Sequence, residues 1–185
     1  MALEYKIFIF IIASGGLLLL SRRSLRAVRS HGFYRFFAWI SFLALVLINL
    51  DYWFDEAFGI RQIASWLLLL ICVFIVVFGT ISLRRAGGQD AKRNDELLMG
   101  IERTTKLVAA GPYRYIRHPM YSSFLFGAWG VFLKHYSWLS FIMACLTTFF
   151  TILTARMEEV ENIQYFGDIY KNYMKRTRMF IPFFF

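Results

Sequence analysis

The eleven residues Gly111-Pro112-Tyr113-Arg114-Tyr115-Ile116-Arg117-His118-Pro119-Met120-Tyr121 combine two arginines, a histidine and three tyrosines, then run directly into an apolar stretch. About forty residues later Arg156-Met157-Glu158-Glu159 follows another apolar stretch. Tyrosine faces can stack on a base or a cation. A carboxylate such as Glu158 can hold hydroxyls, an amino group or a cationic centre. The turn expected at Gly111-Pro112 lets backbone approach a ligand closely. His118 or Glu159 can accept a proton. Structural roles exist for the same residues. His118-Pro119 can open a helix, Arg114 and Arg117 can snorkel, the tyrosines can sit at a membrane interface, and the two acids can be solvated helix residues. The coincidence of both clusters at the mouths of adjacent apolar segments favours one shared pocket.

Several chemistries lack their motifs. No GxxxxGK or GxGxxG run is present, which argues against ATP and against a dinucleotide-binding domain. No HExxH and no closely spaced Cys/His set occurs, so no metal centre is expected. Cys72 and Cys145 lie within apolar runs and read as packed core thiols rather than a disulfide.

The elements that position these clusters are membrane segments. Of 185 residues 58% are hydrophobic and 21 are Phe, more apolar surface than one soluble domain of this size can bury. Five apolar segments are read: Tyr5–Leu20, Phe33–Leu50, Gln62–Leu83, Met120–Leu133 and Trp138–Ala155. A full span needs ~20 residues, so the fourth is short. The expected fold is a single all-α domain, a polytopic membrane bundle of about five helices. Residues 1–83 hold three spans, and 84–185 hold a cofactor-binding loop, a helical hairpin and an amphipathic C-terminal helix. Asn94 is read as capping a short helix, 101–108 as a short extended segment, and Phe180–Phe185 as lying against lipid or the bundle. After Ala155 the chain reads as an amphipathic helix to about Phe166, broken at Gly167 and resumed over Asp168–Lys175.

Net charge is +9, and eighteen of the 21 cations fall in the first loop, with Arg35 counted in it, the third loop and the C-terminal tail, while Arg61 and Lys134 fall in the opposite loops. They read as topology signals and lipid headgroup contacts rather than as a nucleic-acid surface. The expected topology places the N-terminus outside and the C-terminus in the cytoplasm, with both polar clusters on the cytoplasmic side. No cleavable signal is apparent, which points to a prokaryotic inner membrane. No obligate protein partner is evident.

The Gly111–Tyr121 stretch resembles the signature of the integral-membrane methyltransferases, which include isoprenylcysteine carboxyl methyltransferases and phospholipid N-methyltransferases. Glu158-Glu159, Phe166-Gly167-Asp168, Tyr170, Tyr173 and Pro182 continue the match, which covers about residues 101–182. The resemblance implies S-adenosyl-L-methionine as methyl donor and a lipid or small lipophilic acceptor. It implies cofactor contacts at Thr105, Lys106, Leu107, Val108, Tyr113, His118, Pro119, Met120, Tyr121 and Glu158. Carboxyl-methylating relatives carry an arginine four residues before that glutamate. Here the position is Thr154. Arg156 is the nearest substitute, although it projects some 200° away on a helix. Arg156, Glu159 and His118 are therefore the candidate catalytic residues, with an isoprenylcysteine carboxylate disfavoured as acceptor. Two rival readings are an NADPH-dependent membrane reductase of the sterol type and a non-enzymatic membrane scaffold.

Overall fold

The computed structural model describes residues 2–56, 58–86 and 107–182. Six α-helices follow in chain order: α1 (Leu3–Arg26), α2 (His31–Asn49), α3 (Ile60–Ala86), α4 (Pro119–Phe132), α5 (Trp138–Phe166) and α6 (Asp168–Arg176). Among the described residues there is no strand ladder, only a single parallel bridge between Ile116 and Arg178.

Local chemistry sets the helix ends. Ser30 caps α2 by accepting from the Phe33 amide at 3.1 Å, and Ser137 caps α5 by accepting from the Ser140 amide at 3.1 Å. Pro119 opens α4, where a missing N–H costs nothing. Gly167, with φ of +61°, ends α5 and lets α6 start at once in a new direction.

Among the described residues four helices are long and apolar enough to cross a membrane: α1, α2 with its following 3-10 turn, α3 and α5. The fourth segment forms α4 as expected, but its 14 residues rise only ~21 Å, short of a ~30 Å hydrocarbon layer. It lies antiparallel along the middle of α3. A Cβ on Gly130 would meet Leu69, one on Gly127 would meet Cys72, and one on Gly79 would meet Met120. These small residues let the two helix backbones close up. Ser65 Oγ locks the pair by donating to the Gly130 carbonyl at 2.7 Å.

Helices α2 and α5 are likewise antiparallel. His31 meets Glu161 at one end, Phe37 stacks on Phe150, and Asn49 donates to Ser140 Oγ at the other. Leu45, Ala128, Val131 and Ala144 form the core where α2, α4 and α5 meet. α1 packs against α2 and otherwise presents its side chains outward. The connectivity gathers the first loop, the end of α3, the start of α4 and the end of α5 at one end of the bundle.

The amphipathic helix expected after Ala155 continues the fifth segment without a break, so α5 is one 29-residue helix that Gly167 ends, and α6 resumes at Asp168. Two expectations change. Cys145 is exposed on the outer face of α5 rather than packed in the core, while Cys72 is half-buried; both are free thiols. Leu107 and Val108 are not in a strand. Asn94 and residues 101–106 lie outside the described residues. Phe180 does pack into the bundle, at 2% exposure, whereas residues 183–185 lie outside the described set.

Candidate functional site

The two polar clusters meet. On α5, Thr151, Thr154 and Glu158 recur at helical spacing and share one face. α4 begins opposite that face and presents His118, Met120 and Tyr121. Tyr121 donates its phenolic hydrogen to Glu158 Oε2 at 2.6 Å. His118 Nδ1 lies 4.0 Å from the same oxygen. Its Nε2 lies 3.4 Å from Glu159 Oε1 but makes no hydrogen bond there. The imidazole is thus held between two carboxylates, its side chain 3% exposed, with one ring nitrogen unpaired.

Positioning comes from the next residue along. Arg117 Nε donates to Glu159 Oε1 at 2.5 Å, and Nη1 donates to the Thr177 and Met174 carbonyls at the end of α6. The Arg117 and His118 amides donate to the Arg178 and Met179 carbonyls at 2.7 and 3.1 Å. Ser122 Oγ donates to the Phe180 carbonyl at 2.7 Å, and the Phe180 ring tilts against His118. Residues 177–180 therefore form a strap that fixes the start of α4. A buried, multiply bonded arginine of this kind orders its surroundings.

The 3-10 turn Gly111–Arg114 completes the wall. Gly111 has φ of +58°, and a Cβ there would meet Ser82 Oγ at 2.2 Å, so glycine is demanded both by conformation and by contact with α3. Tyr173 donates to the Tyr113 carbonyl at 2.6 Å. Burial raises the Tyr170 phenol far above its ordinary range, and the nearby Glu158 and Glu159 charges raise it further. Burial does the same to Tyr173. Both remain neutral donors.

These elements enclose a cavity of ≈ 300 Å³. Leu107, Val108, Tyr113, His118, Met120, Tyr121 and Glu158 line it, as the motif reading expects. Pro119 is buried at the helix start and does not line it, and Thr105 and Lys106 lie outside the described residues. Glu159 sits one position behind the wall in its pair with Arg117. Arg156 is exposed and does not line the cavity, as its 200° offset from Thr154 requires.

Sequence reading missed the contribution of α2. Arg35 and Trp39, one turn apart, face the cavity from the wall opposite Thr154 and Glu158. Arg35 is counted above as a loop cation, yet it is 8% exposed, one turn inside α2. A charge placed within an apolar helix was the available signal. Asn162, Phe166 and Tyr170 extend the lining past the end of the apolar run. Among the described residues no three His, Cys, Asp or Glu side chains group as ligands for a metal ion.

Comparison with known proteins places this geometry in a family. The phospholipid methyltransferase family model matches residues 60–172, a stretch containing α3, α4, α5, the cavity turn and both polar clusters. Methanethiol S-methyltransferase of Pseudomonas deceptionensis is 30% identical over 119 residues, covering 64% of this chain and 42% of that protein. Protein-S-isoprenylcysteine O-methyltransferase of Dictyostelium discoideum is 28% identical over 156 residues, covering 76% of this chain and 60% of that protein. Methanethiol S-methyltransferase 1 of Bradyrhizobium diazoefficiens is 34% identical over 70 residues, 38% of this chain and 24% of that protein. The chain spans less than half the length of the first of these relatives. No solved structure matches it. All three relatives are named as methyltransferases, and the reductase and scaffold readings find no support. With its matched region covering more than half of its length, the chain belongs to the phospholipid methyltransferase family.

Proposed function

We propose that this protein transfers a methyl group from S-adenosyl-L-methionine to a lipid or small lipophilic acceptor at the membrane. The observation that carries the reading is the junction of Tyr121, Glu158 and His118 on one enclosed cavity. The residues fit such a donor on three counts. His118 Nε2 is a buried polar atom without a hydrogen-bond partner. Among the described residues Glu158 accepts a hydrogen bond from Tyr121 at Oε2 and none at Oε1, which suits Oε1 to a hydroxyl or an amino group. The surrounding aromatic faces of Tyr113, Tyr121 and Trp39 suit a positively charged sulfonium.

When bound, the donor would supply an electrophilic methyl carbon, to which an acceptor lone pair would bond as the carbon–sulfur bond breaks and a neutral thioether leaves. The chain's own residues contribute orientation and exclusion of water. Alignment can supply on the order of 7–11 kcal/mol in favourable cases. A thiol or amine acceptor must also lose a proton. His118 is the group that stands in the cavity wall to take it, with Glu159 behind the ring to stabilise the resulting charge. Arg156 takes no part in this scheme.

Among the described residues the cations other than Lys6, Arg61 and Lys134 lie at the cavity end of the bundle, which supports a cytoplasmic cavity and C-terminus with the N-terminus outside. The relatives' names bracket the acceptor between a small thiol and an isoprenylated cysteine. The wall at Thr151 and Thr154 is neutral, each hydroxyl donating to a carbonyl of its own helix. That stretch of wall offers a carboxylate no cation, so an uncharged acceptor suits it, while the cavity's cations, Arg35 and Arg117, stand on other elements.

Isothermal titration of the purified chain with S-adenosyl-L-methionine tests the reading. Binding is expected, with Glu158→Ala and His118→Ala each weakening it at least about tenfold, ~1.4 kcal/mol. Undiminished affinity in both variants removes the site.

A further inference from the structure

We propose that a second site, on the outer face of the C-terminal strap, binds the phosphate of an anionic membrane phospholipid. Residues Tyr115, Lys175, Arg176, Thr177, Arg178 and Pro182 line a shallow groove where the strap bridges to the segment before α4. The facing of the strap residues sets its polarity. Thr177 and Phe180 turn inward at 5% and 2% exposure, while Arg178 turns outward beside Tyr115.

Three observations separate this groove from ordinary surface charge. First, Lys175, Arg176, Arg178 and the adjacent Arg114 are all exposed, and none pairs with a carboxylate among the described residues. The sequence holds no acid at 103–157 or at 169–185, the stretches that build the groove. The nearest acid on α6, Asp168, sits at the opposite end of that helix and is bonded to Lys171 at 2.9 Å. Second, these cations are not needed to cap α6. Its last carbonyls already accept from Arg117 and from Thr177 Oγ1. Third, Ile181 is 46% exposed beside Pro182 at the groove's end, an apolar contact for an acyl chain next to a cationic contact for a headgroup. Two arginines and a lysine gathered within four residues match phosphate oxygens by geometry as well as charge. The cavity end of the bundle is where anionic headgroups would meet it. The site is separate from the methyl-transfer cavity, since the strap lies between them.

The full chain, extracted from vesicles of equal phosphatidylglycerol and phosphatidylcholine, is weighed by native mass spectrometry and its retained lipids counted. Phosphatidylglycerol is expected to exceed phosphatidylcholine by about fivefold. The K175Q/R176Q/R178Q variant should bring that ratio close to one. A control of equal charge loss at exposed positions of the same bundle end, R22Q/R84Q/R85Q, should leave it unchanged. Should the triple variant fail to melt cooperatively, R178Q alone replaces it, with about half the effect expected. Equal retention of the two lipids by the wild type overturns the proposal. So does a control variant that loses as much preference as the groove variant, because attraction would then be diffuse.

Discussion

Tyr121 on α4 and Glu158 on α5, 37 positions apart in sequence, are joined by one hydrogen bond of 2.6 Å at the head of the cavity. The bond orients the carboxylate toward the space between the helices. It also ties the short α4 to the longest helix of the bundle.

Tyr121→Phe keeps the ring and removes that orienting hydroxyl. Its expected cost to S-adenosyl-L-methionine affinity is about tenfold, ~1.4 kcal/mol. Glu158→Gln should cost more, because it removes the charge as well as one acceptor. Titration calorimetry on both variants checks the order. A Tyr121→Phe loss larger than the Glu158→Gln loss would mean that the tyrosine acts on the donor directly.

Arg117 lines the cavity, and its partner Glu159 stands behind the wall and supports it. Both side chains are about 90% buried, so removing one partner strands the other in a dry site. Arg117→Ala should destabilise the chain by roughly 3–5 kcal/mol. Arg117→Ala/Glu159→Ala should destabilise it less than Arg117→Ala alone, because no lone charge is then buried. Unfolding of detergent-solubilised protein by heat or denaturant measures both. A double variant no better than the single would show that the strap carbonyls, not the carboxylate, are the main partners of Arg117.

How much of this was legible depends on how far apart the partners lie. His118, Tyr121 and Glu158 stand at the ends of apolar runs, so local composition alone exposed them. Arg35 and Trp39 reach the same cavity from more than a hundred positions upstream of Glu158, and nothing local marks their facing. The strap was hidden for another reason. It pairs through one isolated bridge and backbone groups, which carry no residue-type signature. The end of α5 was legible, because the amphipathic pattern after Ala155 runs to Phe166 and a glycine then interrupts it. Lys134 read as a loop charge, but Trp53 and Trp66 cover it fully.

Gly111→Ala should test the turn that shapes the wall. The left-handed backbone costs a non-glycine residue about 1–2 kcal/mol, and the added methyl would also press on Ser82 Oγ. Ser82→Ala in the same chain should recover the contact part of the loss and not the conformational part. Melting temperatures of the single and double variants separate the two contributions. Full recovery in the double variant would mean that the turn tolerates a side chain.

Lys134 offers a test at the far end of the bundle, away from the cavity. It is fully buried, donates to Gln62 Oε1 at 2.9 Å and sits 3.5 Å from the centre of the Trp66 ring, while Arg61 donates to its carbonyl. Burial, and secondarily the Arg61 charge, hold its ammonium group below the ordinary lysine range. The unfolded chain therefore binds more protons than the folded one between the lowered pKa and about 10.4, and stability rises with pH across that window. Below the lowered pKa the penalty for the buried charge is present in full. Lys134→Met keeps most of the stem volume without the charge. It should be at least as stable as the wild type at pH 7 and should lose the upward slope. Melting temperatures between about pH 7 and pH 9, below the tyrosine midpoint near 10, make the comparison. An equal slope in both proteins would assign the pH dependence to another group and mean that Lys134 titrates as it does in the unfolded chain.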